Sequence, residues 1–152
     1  MHELKFQKFN HLKLHTQYSI CEGAIKIDEI KESSKENKIK SLAICDTSNI
    51  CRALEFSDKL SKIGTQPIIG TQINFKYEET MGLIPLFAMN ELGYKRIIEL
   101  SSISYLNNDD LSEPSVPFSE LLKKNQGIAI FSGTVFGSVS YTHLTLPTTP
   151  YV

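Results

Sequence analysis

Residues 41–56 read SLAICDTSNICRALEF. Ser41 to Cys45 is apolar without interruption, and Asp46 follows at once. A strand buried on both faces has this continuous pattern, with polar residues gathering at its carboxyl end. From Leu54 to Ile63 the apolar residues fall at helical spacing until Gly64 stops them. A strand that feeds directly into a helix is the unit from which an α/β fold is built.

The same rhythm runs outward in both directions. Upstream, Phe9 to Leu14 alternates as a strand does, and Ile27 to Asn37 (IDEIKESSKEN) spaces its apolar residues three apart among charges, as a surface helix does. Downstream, Pro67 to Phe75 and Leu83 to Met89 read as strands, and Glu91 to Tyr105 as an amphipathic helix entered through a capping Asn90. A helix near Phe118 to Lys124 and a strand from Gly127 to Ser132 continue the alternation. The expectation is an α/β fold with right-handed crossovers between mostly parallel strands. Asn107 to Pro117 is polar and proline-bearing, the composition of a solvated connection.

Composition narrows the function classes. The 152 residues are 41% hydrophobic and 22% charged, enough for one domain with a real core. Sixteen Lys and Arg oppose seventeen Asp and Glu, so no overall basic field advertises nucleic-acid binding. Cys21, Cys45 and Cys51 are odd in number and form no CxxC pair, which argues against a disulfide framework and against a zinc ribbon. No apolar run reaches membrane-spanning length, and MHELKFQKFN lacks the apolar centre of a signal peptide, so a cytoplasmic location is expected.

Several candidate motifs resolve into ordinary structure. Lys31, Lys35, Lys38 and Lys40 are interleaved with Glu29, Glu32 and Glu36, the pattern of a solvated helix face. GTVFGS lacks the spacing that cradles phosphates. No nucleophile elbow accompanies His2, His11 and His15, so no Ser-His-Asp arrangement emerges.

Four ordered blocks carry the identification: FNHLKLHTQYSICEGAIKIDEI (Phe9 to Ile30), SLAICDTSNICRALEF, QPIIGTQINF (Gln66 to Phe75) and LFAMNELGYKRIIELSS (Leu86 to Ser102). Together they resemble the amino-terminal polymerase-and-histidinol-phosphatase (PHP) domain family of bacterial replicative DNA polymerase III alpha subunits, over roughly residues 5 to 137. The resemblance implies a distorted β/α barrel whose strand ends can hold a cluster of metals, with about half of that barrel present.

Metal-dependent members of the family begin with H-x-H. Here His15 matches the second histidine, Lys13 stands where the first belongs, and His11 lies outside the pair. A protonated lysine has no lone pair to give and repels a cation. Relatives carry D-H after the apolar strand, where this chain has Asp46-Thr47; Gln72 replaces an acid after IIG, and Leu83 falls near an expected histidine. The positions retained are His15, Glu22 and Asp46, too few for a two- or three-metal hydrolytic site. The resemblance therefore implies no catalytic residue and no cofactor in this region, with vestigial positions at His15, Glu22 and Asp46 and losses at Lys13, Thr47, Gln72 and Leu83.

By the same resemblance, the region is a scaffold that docks the proofreading exonuclease subunit and supports other replicase subunits. The parent chain would be a DNA-directed DNA polymerase using Mg and reaching DNA through domains outside this fragment. The alternatives are a metal-dependent PHP phosphoesterase or exonuclease with an atypical ligand set, and a stand-alone binding module of unrelated α/β type. Residues 138–152, SVSYTHLTLPTTPYV, carry no charge and are crowded with Thr and Pro. VSYTHLTLPT is encodable by a transposon end and sequencing adapter, so the expectation is a native half-domain over 1–137 and a non-native tail over 138–152, in which His143 is no ligand.

Overall fold

The structure is a computed structural model, and it describes residues 9–107, 113–123 and 125–131. Its elements run α1 (Ile27–Glu36), β1 (Ser41–Thr47), α2 (Ala53–Ser61), β2 (Gln66–Tyr77), β3 (Thr80–Ala88), α3 (Glu91–Leu106), β4 (Ser115–Pro117), α4 (Phe118–Leu122) and β5 (Ile128–Ile130). The α/β class expected from the sequence is the class observed, built on one five-stranded sheet.

Strand direction departs from the expectation. β1 pairs parallel with β2 and β4 also pairs parallel with β2, whereas β2–β3 and β3–β5 are antiparallel. The sheet is therefore mixed, because Tyr77 and Thr80 are joined across only Glu78 and Glu79, with Glu78 at φ 52°. So short a link permits a hairpin only; a parallel return needs a dozen residues or more. The connection Asn107 to Pro117 is also more than a solvated loop. Its end forms β4 beside Asn74–Lys76, burying Ser115 and Val116.

Phe9 to Leu14 forms no regular strand. The carbonyls of His11 and Leu14 accept from Ala43 N and Cys45 N at 3.1 and 2.9 Å, so the segment follows the outer edge of β1. Three steps along it match two along β1, and that extra residue interrupts the ladder as a bulge does.

Alternation along β1 and β2 sends side chains to two different environments. On one face, Leu42 and Ile44 pack with Ile27, Ile30, Phe56 and Leu60 of α1 and α2. On that same face Ile73, Phe75, Ile84 and Leu86 meet Ile97 and Leu100 of α3, joined by Val116, Leu121 and Ile128. The opposite face carries a smaller cluster of Ala43, Cys45 and Phe87, with Ile68, Leu12 and Ala129 against it. Gly70 makes room for it: a Cβ there would sit 2.4 Å from the Phe87 ring. Asn90 caps α3 as expected, its Oδ1 accepting from Gly93 N at 3.0 Å.

Candidate functional site

β1 ends at Thr47, and parallel pairing sets Thr47 beside Gln72 on the face opposite the helices. The loop that precedes α1 folds over this end. Thr16 bridges Ile25, and Gln17 N donates to Ile25 O at 3.1 Å, closing the loop on itself. Gly23 permits the closure, since a Cβ there would lie 2.3 Å from the Thr16 carbonyl oxygen.

Asp46 anchors that loop. Its carboxylate accepts from Thr16 N at 2.6 Å, Thr16 Oγ1 at 2.7 Å and Ser19 Oγ at 2.8 Å. Asp46, Thr16 and Ser19 are all buried. A carboxylate withdrawn from water needs such donors, and charge-assisted bonds of this kind are the strong ones. Ser19 Oγ in turn accepts from Thr47 N at 3.0 Å.

The remaining positions singled out in the sequence meet around Thr47. Its hydroxyl donates to Glu22 Oε2 and accepts from Gln72 Nε2 at 2.7 Å. His15 Nδ1 lies 3.7 Å from Glu22 Oε2 and 3.4 Å from Ser19 Oγ. Because Ser19 spends its one proton on Asp46, the His15 tautomer that suits both neighbours carries its proton on Nδ1. Leu83 pairs with Asn74, two residues along β2 from Gln72, so it shares the Gln72 face one diagonal step away. Burial pushes the Cys45 thiol up to about 12, against a downward pull from the Lys13 ammonium and a further upward push from Asp46 and Glu22. Lys13 is exposed, on the segment that follows the edge of β1. His11 lies apart, edge-on to Phe9 at a centroid distance of 4.8 Å.

His15, Glu22, Asp46, Thr47 and Gln72 are thus one hydrogen-bonded cluster, drawn from two strands and a loop. Thr16 and Ser19, which hold it together, were not singled out in the sequence. The available signal was the hydroxyl spacing in HTQYS, because Thr16 Oγ1 also accepts from Tyr18 N at 3.2 Å in a local turn.

The chemistry open to this cluster is limited. Ser19, His15 and Glu22 superficially suggest a nucleophile, base and orienting acid. Ser19 is 1% exposed and its proton is committed to Asp46, while Ser19 and Glu22 both approach the same ring nitrogen. A relay needs the two ring nitrogens to serve different partners. The cation cluster implied by the resemblance does not fit these side chains either. Among the described residues, no group of three or more His, Cys, Asp or Glu is disposed to hold a metal ion. Thr47 and Gln72 contribute a hydroxyl and an amide already engaged with Glu22 and with each other.

Comparison with known proteins agrees with this architecture. The chain is 36% identical over 148 residues to the DNA polymerase III subunit alpha of Caulobacter vibrioides, covering 91% of this chain but only 13% of that protein. It is 33% identical over 122 residues to the protein of the same name from Rickettsia felis, covering 80% of this chain and 10% of that one. In fold it is similar to an amidohydrolase from Chromobacterium violaceum solved with bound sulfate and no metal, with a TM-score of 0.50 and 14% identity over 62% of this chain and 32% of that chain. Among the described residues, no helix is long and apolar enough to cross a membrane. The family model for the PHP domain matches residues 11–148, so it also reaches into the segment after Ser138, which lies outside the described residues. With its sheet, its blocks and nearly its whole length matched, the chain belongs to the PHP domain family.

Proposed function

We propose that this PHP region is a non-catalytic scaffold at the amino terminus of a replicative DNA polymerase III alpha subunit, and that it presents a docking surface for the proofreading exonuclease subunit. One observation carries the reading. The side chains at the ligand positions spend their polar groups on one another, through Thr47 to Glu22, Gln72 to Thr47 and Asp46 to the 16–19 loop. Such a cluster cross-links a loop and two strands and leaves little to activate a water. The relatives matched over this region carry the polymerase name, while this chain spans about an eighth of the Caulobacter protein's length. Polymerisation, with Mg held by carboxylates elsewhere in the parent chain, belongs to that larger protein. Its partners are DNA, the exonuclease and the other replicase subunits, and its location is the cytoplasm. In this reading residues 1–137 are the native half-domain and 138–152 a non-native tail.

The test uses the full-length protein purified from its native gene. Elemental analysis is expected to find no stoichiometric zinc or manganese, and no phosphoester hydrolysis should accompany primer extension. Exonuclease binding by the full-length chain should weaken when residues 1–137 are deleted. Two or more tightly held metals per chain, with metal-dependent hydrolysis, would establish the second reading, an atypical phosphoesterase. That reading is favoured only by the retained pair His15 and Glu22 at 3.7 Å.

A further inference from the structure

We draw no further inference here: the strongest candidate, the cavity of about 530 Å³ between α3 and the residues leading into β5, lined by Leu92, Lys95, Arg96, Glu99, Asn125 and Gln126, carries nothing because its Arg96 guanidinium is already spent on Glu99 and on the Glu120 and Lys123 carbonyls, and its two polar atoms without a partner among the described residues, Arg96 Nε and Asn125 Oδ1, are buried out of a ligand's reach.

Discussion

The Asp46 carboxylate and the Thr16 backbone N–H, thirty residues apart in sequence, lie 2.6 Å from each other and are both buried. This bond, with those from Thr16 Oγ1 and Ser19 Oγ, ties the loop before α1 to the end of β1. Asp46→Ala would leave three buried donors without an acceptor. The expected loss is about 3 kcal/mol or more, given 1–3 kcal/mol for each orphaned group with partial relaxation. Urea denaturation should show it, with an unchanged slope if the denatured state is unaffected. A loss below about 0.5 kcal/mol, the range of surface substitutions, would mean that the loop is held by other contacts.

Two glycines should respond differently to alanine. At Gly23 the new Cβ would sit 2.3 Å from the Thr16 carbonyl oxygen, so the loop must open. Gly64 has nothing within 4 Å of its Cβ position and carries only the strain of φ +77°. Gly64→Ala should cost about 1 kcal/mol. Gly23→Ala should cost clearly more, since a backbone clash cannot be relieved by a rotamer change. Equal melting temperatures for the two variants would contradict the close approach at Gly23.

Rebuilding the ligand set should create a metal site at the expense of the metal-free form. In the full-length protein, Lys13→His, Thr47→His, Gln72→Glu and Leu83→His together add imidazole and carboxylate around His15 and Glu22. The same changes remove the hydroxyl that joins Glu22 to Gln72. Without metal the variant should melt below the parent. With zinc or manganese in excess it should rise by the linkage relation, about 2.7 kcal/mol at one hundred times the dissociation constant. Primer extension should be nearly unchanged. No metal-dependent shift in melting would place the lost ligand positions elsewhere.

Cys45 should make stability depend on pH in the alkaline range. Burial lifts its folded-state value from 9.0 to about 12, so the folded chain keeps a proton that the unfolded chain has released. The contribution is fully present below pH 9 and is lost as pH rises toward 12. The slope approaches 1.4 kcal/mol per pH unit within that window. Cys45→Ala should flatten the profile, and iodoacetamide at pH 8 should leave Cys45 unmodified in the folded protein. A profile indifferent to this substitution would show that the thiol meets solvent.

Much of this molecule was legible in its sequence because local patterns carry the physics. The unbroken apolar run at Ser41 to Cys45 can be satisfied only by burial on both faces, and β1 is buried on both. The spacing in Ile27 to Asn37 and the cap at Asn90 fix α1 and the start of α3, since helix periodicity and capping act within one or two turns. The four blocks sufficed to identify the family. Strand direction did not follow from alternation, because periodicity says which face is buried and nothing about pairing; the two-residue link Glu78–Glu79 decided it. The segment Phe9 to Leu14 had a strand's alternation, with Leu12 and Leu14 partly buried and the rest exposed, yet its mismatched register against β1 left only isolated bonds.

The candidate cluster divides the same way. Residue types at positions 13, 15, 22, 46, 47, 72 and 83 are facts of the sequence, and with them the chemistry that a lysine, threonine or glutamine can offer. That Thr47 stands between Glu22 and Gln72, and that Thr16 and Ser19 hold Asp46, depends on parallel register and on a loop closing across Gly23. Those contacts join residues 25 to 30 apart in the chain, where no local periodicity reaches. Only packing the loop against the sheet brings them within hydrogen-bond distance.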